Sequence, residues 1–192
     1  MKALYTSADL AGVHPEQLYE TNPWQICDPA QHGNARADHL VSAPIPEQLA
    51  HALKEARSIA EDVLFDFAVG PDYFAEIAKF RAIRLLWRRV GDRAARVLAR
   101  TTVPEHTDDP YTNLLRGTTQ AMSAIVGGCD FLIVHPFDEQ AADFARRLAV
   151  DTQLILRHEA HFDSMPDPAA GCWYLETLTA QFVESAWKIY QG

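Results

Sequence analysis

Several groups of residues in this 192-residue chain have types and spacings that chemistry can use. His158 and His161, with Glu159 between them, put two imidazoles three residues apart, a spacing that can bring both to one helical face and begin a metal site. No third ligand is specified around them, so a structural role is the stronger reading and no metal is expected. Arg81, Arg84, Arg88, Arg89, Arg93 and Arg96 form the one basic cluster. It is suited to phosphates or to an acidic partner, but a solvated helix flank or a set of ion pairs explains it more simply. His135 follows an apolar run, at the place where parallel barrels put active-site groups, although a single polar residue there is more often a hydrogen-bonded leftover. In Phe137-Asp138-Glu139, Asp138 is suited to cap the next helix and Glu139 to favour its positive end. Cys27, Cys129 and Cys172 are odd in number and far apart, which fits reduced structural thiols better than a disulfide framework or a zinc site.

Composition narrows the classes. With 17 Lys+Arg against 26 Asp+Glu, the net charge is -9, which argues against a general binder of nucleic acid or anionic membrane. A hydrophobic share of 48% with 22% charged residues is that of a folded globular chain, and the length suits one domain or a piece of something larger. No uncharged apolar run is long enough to span a membrane, and Met1 to Leu4 leads into polar Thr6, Ser7 and Asp9 rather than a signal core. A cytoplasmic protein is expected.

The elements that must position these residues divide the chain in two. Residues 1–45, with four prolines, read as an irregular N-terminal arm holding one or two helical turns; residues 46–192 read as the folded domain. A helix over Glu47 to Glu61 is followed by the apolar run Val63–Val69, a buried strand stopped by Gly70-Pro71. Asp72 caps a helix over Tyr73–Val90, a second strand lies around Ala95–Val103, and Asp109-Pro110 opens a helix that Gly127-Gly128 closes. The strand Phe131–Val134 follows. Ala141, Leu148, Ile155 and Phe162 recur every seven residues along a long helix, Asp167 to Gly171 is a turn, and Leu175 to Ile189 is a final amphipathic helix. Strand–helix repeats whose strands lack alternation point to an α/β fold with a parallel sheet, a partial (β/α)8 barrel.

At these elements the sequence resembles the methylmalonyl-CoA mutase family, in particular its small-subunit type. The matching stretches are Phe67-Ala68-Val69-Gly70 with Phe74 to Ala82, Asp109 to Arg116, Gly127-Gly128, Phe137-Asp138-Glu139, Ala149 to Leu156, His158-Glu159-Ala160 and Asp167 to Glu176. They run collinearly over roughly residues 46–190, a much more specific signal than one short motif.

The resemblance implies the second half of a barrel that binds acyl-CoA along its axis and, in catalytic subunits, packs against a separate cobalamin domain. The arm is similar to the family's leading segment at Leu4 to Leu10 and Pro23 to Ile26, and the cobalamin-binding Asp-x-His-x-x-Gly motif does not occur. Adenosylcobalamin, which carries the radical chemistry in this family, is implied at family level and not expected on this chain alone. Catalytic members carry an Arg, a His with a Gln, and a Gln-Ser pair where this chain has Asp62, Arg100 with Thr102, and Asp130 with Phe131. An Asp in place of a phosphate-binding Arg repels CoA, and Phe131 makes no hydrogen bond through its side chain. No catalytic residue is therefore expected. Arg100, Asp130 and His135 remain candidate substrate contacts, and Glu139 a candidate cofactor contact. The favoured expectation is a non-catalytic, small-subunit-like protein that assembles with a catalytic mutase subunit or with itself, because a half barrel exposes sheet edges and apolar faces. The alternatives are part of an active mutase converting methylmalonyl-CoA to succinyl-CoA, and an acyl-CoA binding module.

Overall fold

The computed structural model of the chain describes residues 33–37, 40–59, 63–90, 95–102, 107–138, 141–162, 164 and 167–192. Within them, strands and helices alternate as β1 (Gly33–Arg36), α1 (Ile45–Ala56), β2 (Val63–Val69), α2 (Tyr73–Val90), β3 (Ala95–Thr101), α3 (Pro110–Val126), β4 (Phe131–Ile133) and α4 (Ala142–His158), followed by α5 (Trp173–Gln191). The four strands pair in parallel in their chain order, with Phe65 level with Ala35 and Val97, and Leu98 level with Phe131.

Every residue of β2 is buried, which is why its sequence shows no alternation: both faces of the strand are out of water. Val63, Phe65, Phe67 and Val69 turn toward the helices and join Val97, Ala99 and Leu132 in the main core. Leu64, Leu98, Phe131 and Ile133 turn the other way and form a second cluster. In the main core Trp87 meets the ring of Phe65 edge-on, and Phe80 does the same to Phe67. Rings of this size each contribute about 1.5–3 kcal/mol on full burial. Helix α5 lies on α1 and α2 as a further layer rather than on the sheet, and runs parallel to α2, with Tyr174 against Phe74 at one end and Trp187 beneath Arg89 at the other.

One polar knot crosses this apolar layer. The fully buried Lys79 ammonium sits 2.5 Å from Glu76, donates to the Ala68 carbonyl at 2.7 Å and to Gln48 Oε1 at 3.3 Å, and faces the rings of Phe67 and Phe80. Burial lowers its pKa, and the adjacent Glu76 carboxylate opposes that shift. The knot joins α1, β2 and α2, and it persists because the charge is paired and its protons are placed.

Helix ends follow the local signals. Asp72 Oδ1 accepts from the Ala75 N–H, and Asp109 accepts from the N–H groups of Tyr111 and Thr112 ahead of Pro110. The Thr112 hydroxyl, which also donates to it, is the main reason the Asp109 carboxyl titrates below its usual range. At the other end of α3, Gly127 lies so close to α2 that a Cβ there would stand 2.9 Å from Phe80 Cβ and 3.1 Å from the Ile77 carbonyl.

The structure corrects several expectations. The arm is not irregular throughout, because Gly33–Arg36 is a strand paired with β2; its small residues carry no strand signal, and the ladder to β2 makes it one. The helical turns expected between residues 1 and 32 lie outside the described residues. Helix α1 starts at Ile45 and stops at Ala56, short of Glu61, and β3 and β4 end at Thr101 and Ile133. The seven-residue stripe on α4 is not its buried face: Ile155 is half exposed and Phe162 lies beyond the helix, whereas Ala145, Ala149, Gln153 and Leu156 are buried. Asp138 does not cap α4, whose N-cap is Ala141 with no side-chain bond. On the edge of the sheet, the backbone N–H of Arg36 points away from β2 and donates to Glu55 Oε2 at 2.8 Å.

Two glycines of α3 and its end separate by environment. Gly127→Ala forces the α2–α3 contact apart and is expected to lower stability by about 1–3 kcal/mol. Gly117→Ala, with nothing within 4 Å of the new methyl, is expected to raise stability by about 0.5–1 kcal/mol. Denaturant midpoints of the two variants check this, and equal effects of one sign would contradict it.

Candidate functional site

Alternation along the strands turns Asp66, between Phe65 and Phe67, away from the helices and onto the face that carries Leu64 and Leu98. In a closed barrel that face looks into the lumen. Arg100 of β3 shares it and grips Asp66 with two parallel bonds, Nε to Oδ1 at 2.8 Å and Nη2 to Oδ2 at 3.0 Å. The carboxylate is fully buried, and the guanidinium keeps about a fifth of its surface in contact with solvent, 22%. A bidentate pair of this kind fixes both groups in one plane and occupies the Nε–Nη2 edge of the guanidinium, one of the two edges that can fork onto a phosphate or carboxylate. One turn of pleat away, Arg96 lies over the Phe131 ring at 5.9 Å.

At the C-terminal ends of the strands the polar groups are tied into the scaffold. The His135 N–H donates to Thr101 Oγ1 at 2.8 Å. Thr102 donates its N–H to Gln120 Oε1 and its hydroxyl to the Val69 carbonyl, while Gln120 Nε2 donates back to Thr102 Oγ1. These bonds knit β2, β3 and α3. Beside His135, Asn113, Thr118, Phe137 and Thr152 line a cavity of about 10 Å³, room for one water and far below the few hundred Å³ of a ligand pocket.

The candidates do not converge. Asp130 lies at the N-terminal end of β4, the opposite end from His135, where its Oδ2 accepts from Arg84 at 2.7 Å and from the Val97 N–H at 2.8 Å. Arg100 sits between them, committed to Asp66. Glu139 and Asp62 lie outside the described residues, as does Arg93 of the basic cluster. Of the remaining arginines, Arg81 is paired with Asp167 and Glu176, Arg84 with Asp130 and the Gly128 carbonyl, Arg89 stacks on Trp187, and Arg88 is exposed. A groove of about 460 Å³ runs along this stripe of α2, between the end of α3 and the start of α5. Arg81 and Arg84 in it are held by these pairs, Arg88 also lines it, and Asp130 places it at the N-terminal end of β4.

His158 closes α4 while His161 adopts a positive φ of 54° in the loop beyond it, and among the described residues no group of three His, Cys, Asp or Glu side chains is arranged to hold a metal ion. Burial pushes the Cys129 thiol up to about 12, with the Asp130 carboxylate adding to the shift. Asp66, the residue that decides what Arg100 can do, is not singled out by motif; its one signal is that it is the sole charge inside an apolar strand.

The sequence model of the family described as methylmalonyl-CoA mutase matches residues 46–192. The methylmalonyl-CoA mutase small subunit of Porphyromonas gingivalis is 40% identical over 162 residues, which cover 77% of this chain and 26% of that protein. A probable small subunit from Mycobacterium tuberculosis is 39% identical over 187 residues, covering 85% and 30%. The methylmalonyl-CoA mutase of Rhizobium meliloti is 41% identical over 140 residues, covering 66% and 20%. The chain thus spans about a quarter of the length of the curated relatives it matches.

Two outcomes follow from the geometry. Arg100→Met strands the Asp66 carboxylate and is expected to cost about 3–5 kcal/mol, whereas Asp66→Leu together with Arg100→Met should recover most of that loss; chemical unfolding of both variants is the check, and a neutral single variant would contradict it. Iodoacetamide should modify exposed Cys172 and leave buried Cys129 unmodified until the protein unfolds, as read by peptide mass spectrometry.

Proposed function

This chain belongs to the methylmalonyl-CoA mutase family, and from that premise we propose that it is a small-subunit-like, non-catalytic segment of the mutase barrel that assembles with a catalytic subunit or with its own copies. The observation that carries this reading is the Asp66–Arg100 pair, which fills the lumen-side face at the position where catalytic members bring groups to the substrate. The departures at Asp62, Thr102, Asp130 and Phe131 point the same way. The small-subunit names of several relatives support it further.

The cofactor of the family does not fit the described residues. Residues that held a corrinoid would have to line a broad pocket at the strand ends and supply an imidazole to it. The cavity beside His135 holds about 10 Å³, and no Asp-x-His-x-x-Gly segment occurs in the sequence. No step of the rearrangement is therefore routed through this chain. Arg100 and His135 act in this reading as scaffold groups, and Asp130 as the anchor of Arg84.

Assembly follows from the open sheet. Among the described residues four parallel strands leave two edges, and Tyr111, Leu115 and Trp173 expose most of their apolar surface. Exposed groups of this size favour association. No helix of the described residues is long and apolar enough to cross a membrane. A second reading, favoured by the similarity to the methylmalonyl-CoA mutase of Rhizobium meliloti, makes the chain one part of an active enzyme whose remaining parts lie elsewhere.

The purified chain supplied with adenosylcobalamin and methylmalonyl-CoA is expected to form no succinyl-CoA, and light scattering should give a mass above that of one chain, alone or with a catalytic mutase subunit. Turnover by the chain by itself, or a stable monomer that ignores the catalytic subunit, would overturn the proposal.

A further inference from the structure

Helix α4 turns mostly small residues inward and large ones outward. Its buried line is Ala145, Ala149, Gln153 and Leu156, while Phe144 and Ile155 are each 52% exposed and Leu148 between them is half-buried. Phe144, Leu148 and Ile155 follow one another in steps of four and seven residues, the spacing of a seam between helices. Neighbouring α3 behaves alike: Tyr111 is 75% exposed and Leu115, one turn on, 68%. The two stripes adjoin. Asn113 Nδ2 donates to the Phe137 carbonyl at 3.4 Å and the Phe137 ring meets Phe144 edge-on, so α3 and α4 begin at the same level. Thr118 and Thr152 both line the small cavity between the helices. At about 100° per residue, Tyr111 and Leu115 stand within about 60° of Thr118, and Phe144, Leu148 and Ile155 within about 80° of Thr152.

We propose that this outer face of α3 and α4 is the contact between two copies of the chain, packed antiparallel about a two-fold axis. The inference deepens the assembly reading above and rests on it. Area and charge select the occupant. Each helix has 17 residues. At about 1.5 Å per residue and about 10 Å apart, the two outline roughly 500 Å², and side-chain relief raises the accessible area toward the ~800 Å² per partner of a stable pair. One helix alone offers half that outline. On α4, Arg147 and Asp151 border Leu148, one turn apart and opposite in sign. When α4 meets its own copy antiparallel, with Phe144 level with Ile155 of the second copy, Arg147 comes beside Asp151 of the second copy, and Asp151 beside its Arg147. A parallel meeting sets like charge on like. A surface that complements itself in this way is what a two-fold contact requires.

The test is sedimentation equilibrium of the full chain over a dilution series, and a dimer is expected. Arg147→Asp and Asp151→Arg should each weaken it by at least about tenfold. An equimolar mixture of these two variants should restore it, because each mixed contact again joins opposite charges. Leu115→Glu, at a position already exposed, should weaken the dimer and leave the fold intact by circular dichroism. A dimer indifferent to all three variants would overturn the proposal and leave the assembly reading standing on another surface, and a mixture that stays monomeric would overturn it as well. A monomeric wild-type chain would also overturn it; if that monomer binds a catalytic mutase subunit the wider reading survives, and if it does not, both fall.

Discussion

A parallel sheet is stable only when both of its faces are out of water, and that constraint organises this chain. One face is served by helices α1, α2 and α3, with α5 added outside them. The other carries Leu64, Leu98, Phe131 and Ile133 together with the Asp66–Arg100 pair. An ion pair at this place removes two charges from the lumen surface and fixes β2 and β3 in register. It stabilises the face less by its own attraction than by making its rupture costly.

Asp66 of β2 and Lys79 of α2, both fully buried, act on opposite sides of the same strand. Asp66 points to the lumen side, while Lys79 reaches the Ala68 carbonyl from the helical side. Between them the strand is held by side chains as well as by its ladder. This explains why a segment with a charged residue at its centre is nonetheless the most deeply buried element. It also explains why the arginines of α2 add little free binding capacity, since Arg81 and Arg84 serve to hold the loop at Asp167, the start of α5 and the start of β4.

Much of this was legible in the residues because the causes were local. Val63–Val69 shows its double burial as an unbroken apolar run, and Asp72, Asp109-Pro110 and Gly127 mark helix ends through bonds made within a few residues. Gly33–Arg36 was not legible, since nothing in Gly-Asn-Ala-Arg favours a strand and its conformation is imposed by β2, thirty residues on. On α4 the seven-residue recurrence marked a stripe turned partly to solvent; the buried stripe contains Gln153 and small alanines and so looks weak by hydrophobicity. For the candidate site, sequence order misled: Asp130 and His135 are five residues apart but lie at opposite ends of a strand, and Asp66, far away in sequence, is the true neighbour of Arg100.

The carboxylate of Glu55 on the outward amide of Arg36 has a wider effect than its single bond suggests. An outermost strand is a template on which stray chains can stack into fibres. Here a negative group from the neighbouring helix already occupies one of the few donors that such a chain would seek, and the strand is only four residues long. Among the described residues β1 is the outermost strand on its side, and this bond makes its border less receptive to such growth than a bare strand would be.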